Sequence, residues 1–255
     1  MTENDPAPRR HSPVEIDTVP AAYCSVDLRL EILGNLPFFA ALSPDQVAAA
    51  NERFRELGFA AGETIAFSGE PAANLYVVAA GHVKLLHHTL AGKDILLDLL
   101  TPGEFFGNLS AQEDATYAET AMAHSDVCVL AIPTAAFRAL LAKHAAVALA
   151  VLDLTTHRLQ SAQERVRQLS AYSVEQRIAA TLLRLAAKLG DERDVGCLIQ
   201  TPLSRDDLAQ MTGTTPESAS RVMSQLQKDG LIASGRQWVA ITDRPGLAAR
   251  ADEPA

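Results

Sequence analysis

The chain has 255 residues, is 48% hydrophobic and carries a formal charge of −9, with a pI near 5.2. The length fits one large domain or two ordinary ones, and the apolar share is enough for a real core. The acidic balance excludes bulk, charge-driven nucleic-acid binding.

The charge is unevenly placed: 12 Lys/Arg stand against 20 Asp/Glu over residues 1–172, and 10 against 11 over residues 173–255. A near-neutral C-terminal part can hold a local basic face, whereas the acidic N-terminal part is repelled by phosphate. The three cysteines, Cys24, Cys128 and Cys197, form no CxxC and read as a reducing, cytoplasmic setting. No run reaches the roughly 18 apolar residues of a membrane span, so no membrane partner is expected.

Residues 1–25 open on "MTENDPAPRRHSPVEIDTVP", with four prolines and no apolar h-region. This reads as a disordered tail, not a signal peptide. "SVDLRLEILGNLPFFAALSPDQVAAANERF" reads as short helices broken at Gly34, Pro37 and Pro44. From Phe59 to Ile132, glycines at 62, 69, 81, 92, 103 and 107 separate the runs "TIAFS", "LYVVAA", "VKLLHH", "ILLDLL" and "VCVLAI". Five short strands at that spacing predict a compact β-roll or jelly roll.

From Ala135 to Leu169 the pattern turns helical. Ala148, Leu152, Thr155, Leu159, Ala162, Val166 and Leu169 recur in heptad steps, and Val147, Val151 and Leu154 mark a second face. Two apolar faces on one helix predict that one packs on the β-domain and the other on a second copy. In "SVEQRIAATLLRLAAKLG", Ser173 and Gln176 have capping-box spacing. Ile178, Leu182, Leu185 and Leu189 form the buried stripe, and Gly190 is the stop. "DERDVG" reads as a charged surface loop.

In "LSRDDLAQMTGTTPESASRVMSQLQKDGLIASGRQWVAIT", Ser204 is an N-cap with Asp207 three residues on, and Leu203 and Leu208 have staple spacing. This helix ends at Gly213. Thr215 caps the next, with Pro216 at its first position. Two short helices joined by a Gly-containing turn predict a helix-turn-helix, followed by a two-stranded wing turning at Ser234-Gly235. On the second helix Ala219, Val222, Met223 and Leu226 form the buried face. Glu217, Ser220, Arg221 and Ser224 share the other. Arg offers a fork to guanine, Glu accepts from cytosine, and Ser bonds either way, as base reading in the major groove requires. On spacing alone Glu217 and Arg221 also fit a surface i,i+4 ion pair. No G-x-S-x-G, HExxH, P-loop or Rossmann fingerprint occurs, so no catalytic residue and no enzyme activity are expected.

With these motifs in this order the sequence resembles the Crp/Fnr family of bacterial transcription regulators. "AAGETIAFSGEPAANLYVVAAGHVKLL" follows the family's β-region pattern, and "TPGEFFGNLSA", the heptad helix and the winged helix-turn-helix follow in family order. The resemblance implies an α+β fold. Its parts are a tail (1–25), a cyclic-nucleotide-binding-type β-roll or double-stranded jelly roll (26–143) and a long dimerisation helix (144–170). A winged helix-turn-helix (171–247) and a second tail (248–255) follow. It implies a homodimeric regulator, with double-stranded DNA and RNA polymerase as partners. Glu217, Ser220 and Arg221 match the E-x-x-S-R signature of the Fnr-like branch, which implies TTGA…TCAA half-sites. Arg221 then meets guanine, Glu217 the opposite cytosine and Ser220 thymine. Thr215 and Ser218 flank that set, and Arg205 matches a phosphate-contacting position. Leu152, Thr155, Leu159, Ala162, Val166 and Leu169 are the implied dimer seam.

The family's nucleotide pocket uses a Glu after a conserved Gly, and an Arg followed by Ser or Thr. Here Gly107 is followed by Asn108, and Tyr117-Ala118 stands where Arg-Ser belongs. No Arg occurs between Arg55 and Arg138, and a buried phosphate without an Arg fork is weakly held. The expectation is a degenerate pocket that takes no cyclic nucleotide. An iron–sulfur cluster needs four thiolates and is excluded too; no metal site is expected. Cys128 fits a core position, and Cys197, just before the helix-turn-helix, is a candidate thiol switch. The helical segment and "ASRVMSQL" look most like the nitric-oxide-responsive denitrification regulators. That likeness leaves haem open as a cofactor, with His82, His87, His88, His124 and His144 as candidate ligands. A regulator without effector, controlled by abundance, is the alternative.

Overall fold

The computed structural model describes residues 26–109 and 114–252; the expected N-terminal tail lies outside them. The described residues divide into two compact units, one formed by residues 26–173 with Gln210–Thr214, the other by Val174–Ala209 and the residues from Thr215 on.

In the first unit helix α1 (Val26–Asn35), a 3-10 turn (Pro37–Phe39) and helix α2 (Pro44–Asn51) precede the roll. α1 runs through Gly34, where a break was expected. α2 begins with a full capping box: Ser43 Oγ accepts from the Gln46 N–H, and Gln46 returns a bond to the Ser43 N–H. Eight strands follow: β1 (Arg55–Phe59), β2 (Thr64–Ala66), β3 (Asn74–Ala80), β4 (Val83–His88), β5 (Asp94–Leu100), β6 (Phe105–Phe106), β7 (Thr120–Ala123) and β8 (Val127–Pro133). They make two antiparallel four-stranded sheets, ordered β1-β8-β3-β6 and β2-β7-β4-β5. The five sequence-predicted strands are β2, β3, β4, β5 and β8. The three that periodicity missed are held by pairing: β1 is almost wholly exposed and exists through its register with β8, Arg55 opposite Ala131 to Phe59 opposite Val127.

Two apolar clusters fill the unit. Val78, Val83, Leu100, Phe106, Tyr117, Ala121, Val127 and Val129 lie within the roll. Leu33, Leu36, Phe38, Phe39, Leu75, Val77, Leu130, Ile132 and Phe137 lie between the roll and the surrounding helices. Phe38 sits at the centre of the second cluster, edge-on to Phe39, Phe105 and Phe137 at 5.0, 5.6 and 5.9 Å.

The long helical pattern is two helices, α3 (Thr134–Lys143) and α4 (Ala145–Ala171), meeting at 117°. The turn is His144, at φ −124° and ψ 88°, whose carbonyl starts α4 by accepting from Val147 and Ala148. One face of α4 is buried on the first unit's core through Val147, Val151 and Leu154. Two arginines a heptad apart hold it there. Arg158 donates to the Phe105 carbonyl at 2.6 Å, with its guanidinium 4.1 Å above that ring. Arg165 donates to the Leu97 carbonyl. A register shift between β4 and β5 leaves Leu97 unpaired in that ladder, so Arg165 satisfies a bulge carbonyl.

The second unit opens with α5 (Val174–Leu189), which buries Ile178, Leu182 and Leu185. The stretch read as a charged loop is a hairpin, β9 (Gly190–Arg193) and β10 (Gly196–Ile199). It joins β11 (Ile232–Gly235) and β12 (Trp238–Ile241) in one sheet, ordered β11-β12-β10-β9. The polar residues of β9 hid it, because backbone pairing with β10, not a buried face, makes it a strand. The wing turns at Arg236-Gln237, not at Ser234-Gly235: Ser234 and Gly235 pair with Val239 and Trp238, and Gln237 takes the positive φ of 62° that a tight turn demands.

Of the residues read as a tail, 248–252 belong to helix α8 (Arg244–Asp252), and 253–255 lie outside the described residues. Asp243 caps it by accepting from the Gly246 N–H at 3.0 Å, and Leu247 and Ala251 are buried.

Candidate functional site

α6 (Arg205–Thr212) and α7 (Pro216–Lys228) are joined by a turn in which Gly213 has φ 60°. The α6 cap forms as its spacing predicts. Ser204 Oγ accepts from the Asp207 N–H at 3.0 Å, and the Asp207 carboxylate accepts from the Ser204 N–H at 3.0 Å and its hydroxyl at 2.7 Å. Leu203 and Leu208, the staple pair, are both buried.

α7 starts at Thr215, whose Oγ1 accepts from the Ser218 N–H at 3.2 Å, with Pro216 in the first turn. Ala219, Met223 and Leu226 are fully buried; Val222 is only half-buried. The opposite face carries exposed Glu217, Arg221 and Ser224 and half-buried Ser218 and Ser220. The i,i+4 ion pair that spacing allowed does not form among the described residues. Arg221 reaches back to Ser218 Oγ at 3.4 Å. Its own backbone N–H and the Thr215 hydroxyl hold the Glu217 carboxyl below the usual carboxylate range. Both charged groups are therefore presented to solvent at the start of the helix, one as a donor fork and one as an acceptor.

Arg205 is half-buried at the start of α6, and burial lowers its pKa. Its Nη2 donates to Ser234 Oγ on β11 at 3.0 Å, and Ser234 donates to Gln227 Oε1 on α7 at 3.0 Å. One arginine thus ties α6, α7 and the wing together. Neither Ser234 nor Gln227 was legible as part of the site, since nothing in their spacing links them. Arg236 stands exposed at the wing turn, an added cation on this unit.

The expected degenerate pocket is Gly107, Asn108, Tyr117 and Ala118. Gly107 has φ 120°, and a Cβ there would press on the Asn74 carbonyl and Leu75 Cα at 3.0 and 3.2 Å. Asn108 Nδ2 donates to the Thr116 carbonyl at 2.8 Å, and Ala118 is exposed. Tyr117 is the exception: it is 7% exposed and lies inside the roll beside Tyr76, which stacks on Phe106 at 5.0 Å. Its hydroxyl accepts from the Asn74 N–H at 3.1 Å and donates to the Asn74 carbonyl at 3.0 Å. Burial pushes the phenol up to about 12. At the position where the resemblance implies a phosphate-binding arginine, this chain has a phenol ring tying down the backbone of Asn74. Two guanidiniums do reach the roll from α4, those of Arg165 and, over the Phe105 ring, Arg158. The pKa of Arg158 is lowered by burial, against the pull of Glu104, Asp98 and Glu119.

A haem needs an apolar slot with a free imidazole, and the residues present do not fit one. The interior is filled by Tyr76, Phe106 and Tyr117, and none of the five candidate histidines is fully buried. His87 and His88 are exposed at the end of β4, and His88 Nδ1 lies 2.6 Å from Asp94. Cys128 is buried in β8. Cys197 is buried in β10, and burial, then the neighbouring Glu192, pushes its thiol up, the reverse of an activated thiolate. The seam residues Leu152, Leu159, Val166 and Leu169 are 51–63% exposed, as is Leu149, which the heptad count omitted. Thr155 is also exposed and Ala162 half-buried.

The profile of the Crp-like helix-turn-helix domain matches residues 176–250, and that of the cyclic nucleotide-binding domain matches residues 56–144. The chain is 30% identical over 207 residues to the cyclic AMP receptor protein of Thermus thermophilus, covering 81% of this chain and 93% of that one. It is 26% identical over 221 residues to the CRP-like cAMP-activated global transcriptional regulator of Mycobacterium tuberculosis, covering 87% and 99%. Among solved structures, FixK2 of Bradyrhizobium japonicum superposes with a TM-score of 0.71 at 24% identity, covering 79% of this chain and 99% of that one, a likeness of fold. With a roll, a long helix and a winged helix-turn-helix in this order, the chain belongs to the Crp/Fnr family of DNA-binding transcription regulators.

Proposed function

We propose that this chain is a homodimeric regulator that reads TTGA…TCAA palindromes and takes no cyclic nucleotide. The observation that carries the DNA reading is the capped first turn of α7, which presents Glu217 and Arg221 unpaired with each other beside Ser218 and Ser220. Arg221 donates to guanine O6/N7, Glu217 accepts from cytosine N4, and Ser220 lies against thymine. Arg236 and Arg205 supply the phosphate side. The exposed apolar stripe Leu152, Leu159, Val166 and Leu169 supports pairing with a second α4. Dimerisation sets two recognition helices one turn of DNA apart.

The relatives named for cyclic AMP make nucleotide binding the obvious rival. Against it stand Asn108 in place of an acid, and Tyr117 filling the arginine's place with its hydroxyl already committed. The test is a mobility shift on a TTGA–TCAA palindrome beside titration calorimetry with cyclic AMP and cyclic GMP. Arg221→Ala is expected to lose about 5- to 150-fold in specific affinity. Unchanged affinity sinks the base-reading assignment, and saturable micromolar nucleotide binding sinks the pocket assignment.

A further inference from the structure

We propose that Arg250, on the C-terminal helix α8, is a positioning residue for base recognition: it holds the far end of the reading helix α7 against the first turn of α5. This rests on the reading of α7 given above. Arg250 Nη1 donates to Glu175 Oε1 at 2.8 Å, and Nη2 donates to Asp229 Oδ2 at 2.8 Å. Asp229 is the C-cap of α7, and its other oxygen accepts from Gln225 Nε2 at 2.8 Å. One guanidinium therefore spans three helices, and its fork geometry fixes the angle between the two carboxylates it joins. The side chains are a quarter to two-fifths exposed, so the contacts are neither fully screened nor fully buried.

Two physical features make this more than a surface ion pair. A carboxylate at the C-terminal end of a helix opposes the helix dipole. Asp229 is therefore unfavourable for α7 unless a cation meets it, and Arg250 is that cation. Leverage is the second. Glu217 lies twelve residues from Asp229, about 18 Å along the axis, so a tilt of about 5° at the anchored end shifts it by ~1.5 Å. Hydrogen bonds to base edges tolerate about 0.5 Å. Arg250 makes these bonds far from the reading face, with one terminal nitrogen on each of the two carboxylates. It therefore affects which sequence is preferred without adding a phosphate contact. Leu247 and Ala251 seat α8 through apolar burial independently of the arginine, so the helix remains when the charge is removed.

The experiment compares wild type, Arg250→Ala, Arg250→Lys, Asp229→Asn and Arg221→Ala. Each is tested on a duplex selected by the wild-type protein from a random pool and on a scrambled duplex, over a series of salt concentrations. Thermal unfolding checks that each variant is folded. Arg250→Ala is expected to lose about tenfold on the selected duplex and less than about twofold on the scrambled one. The slope of log K against log salt is expected to stay unchanged, with Lys recovering most of the loss and Asp229→Asn repeating the Ala pattern. The proposal is overturned if Arg250→Ala binds the selected duplex like wild type. It is also overturned if both duplexes weaken together with the slope reduced by about one, the mark of a phosphate contact, or if Lys restores nothing. Should the Ala variant not fold, Asp229→Asn and Arg250→Lys decide the matter by the same criteria. Loss in Arg221→Ala without loss in Arg250→Ala removes this inference alone; no loss in either removes the base-reading assignment as well.

Discussion

Replacing Tyr117 by Phe tests whether the position that would bind phosphate has become structural. Asn74 faces Pro133 across the β3–β8 ladder, and the Thr134 N–H bonds the Ala73 carbonyl. That bond makes Asn74–Pro133 a non-hydrogen-bonded pair, so the Asn74 N–H and C=O point to the other side, toward β6. β6 covers only Phe105 and Phe106 and pairs no farther than Tyr76. The Tyr117 hydroxyl is what bonds both Asn74 groups there, at 3.1 and 3.0 Å. Removing it leaves a donor and an acceptor in a site shared with a ring 7% exposed, and the expected cost is about 1–3 kcal/mol.

A second signature is alkaline. The folded phenol is pushed up to about 12 by burial, from 10.0 in the unfolded chain. Between those values the unfolded chain binds fewer protons than the folded one, so stability falls as pH rises. The contribution is fully present below pH 10 and is lost toward pH 12, amounting to at most about 2.7 kcal/mol. The assay is urea unfolding of both proteins at pH 7.5 and pH 10.5 by circular dichroism, with Trp238 fluorescence following the second unit alone. The midpoint is expected to fall in Tyr117→Phe by circular dichroism and not by fluorescence, and the alkaline loss to be smaller in the variant. Equal midpoints at pH 7.5, or an identical shift in both probes, refute the reasoning.

Leu159→Glu places a charge in the exposed α4 stripe. Sedimentation is expected to show the monomer where wild type sediments as a dimer, with loss of palindrome binding. Gly196→Ala is expected to destabilise the second unit by about 2 kcal/mol or more, measured by Trp238 fluorescence in urea. Gly196 has φ 103°, and its added Cβ would run into the Ile241 backbone carbonyl. Thr215→Ala removes both a helix cap and a hydroxyl that holds the Glu217 carboxylate. An NMR titration is expected to show the Glu217 pKa rising toward its ordinary value. Because that pKa is depressed in the fold, its stabilising effect is present above the unfolded value and fades as pH falls; the variant should show a weaker fade.

The interior of the roll and its contacts with α4 show the same chemistry. The interior is lined by Tyr76, Phe106 and Tyr117 rather than by charge. α4 is bonded directly to that roll through Arg158 and Arg165. The helix bonded to β5 and β6 in this way also carries the exposed stripe Leu152, Leu159, Val166 and Leu169.

The features legible in the sequence are those whose cause is local or periodic. The caps at Ser204 and Thr215, the split of α7 into an apolar face and a polar one, the heptad stripe and five strands of the roll all follow from neighbouring residues, because propensity and side-chain period are set within a turn or two. What tertiary structure decided has no local cause. β1, β7 and β9 are strands because another strand pairs with them, not because they bury an alternating face. The wing turn moved by two residues because register with β12, not composition, sets it. α8 did carry a local signal, Asp243 ahead of Pro245, but too few apolar residues follow for the pattern to stand out. The couplings that organise the site join residues 29 to 75 positions apart: Arg205 to Ser234, Tyr117 to Asn74, Arg158 to Phe105, Arg250 to Glu175. A hydrogen bond across that separation depends on how whole elements pack, and single-chain spacing holds no record of it.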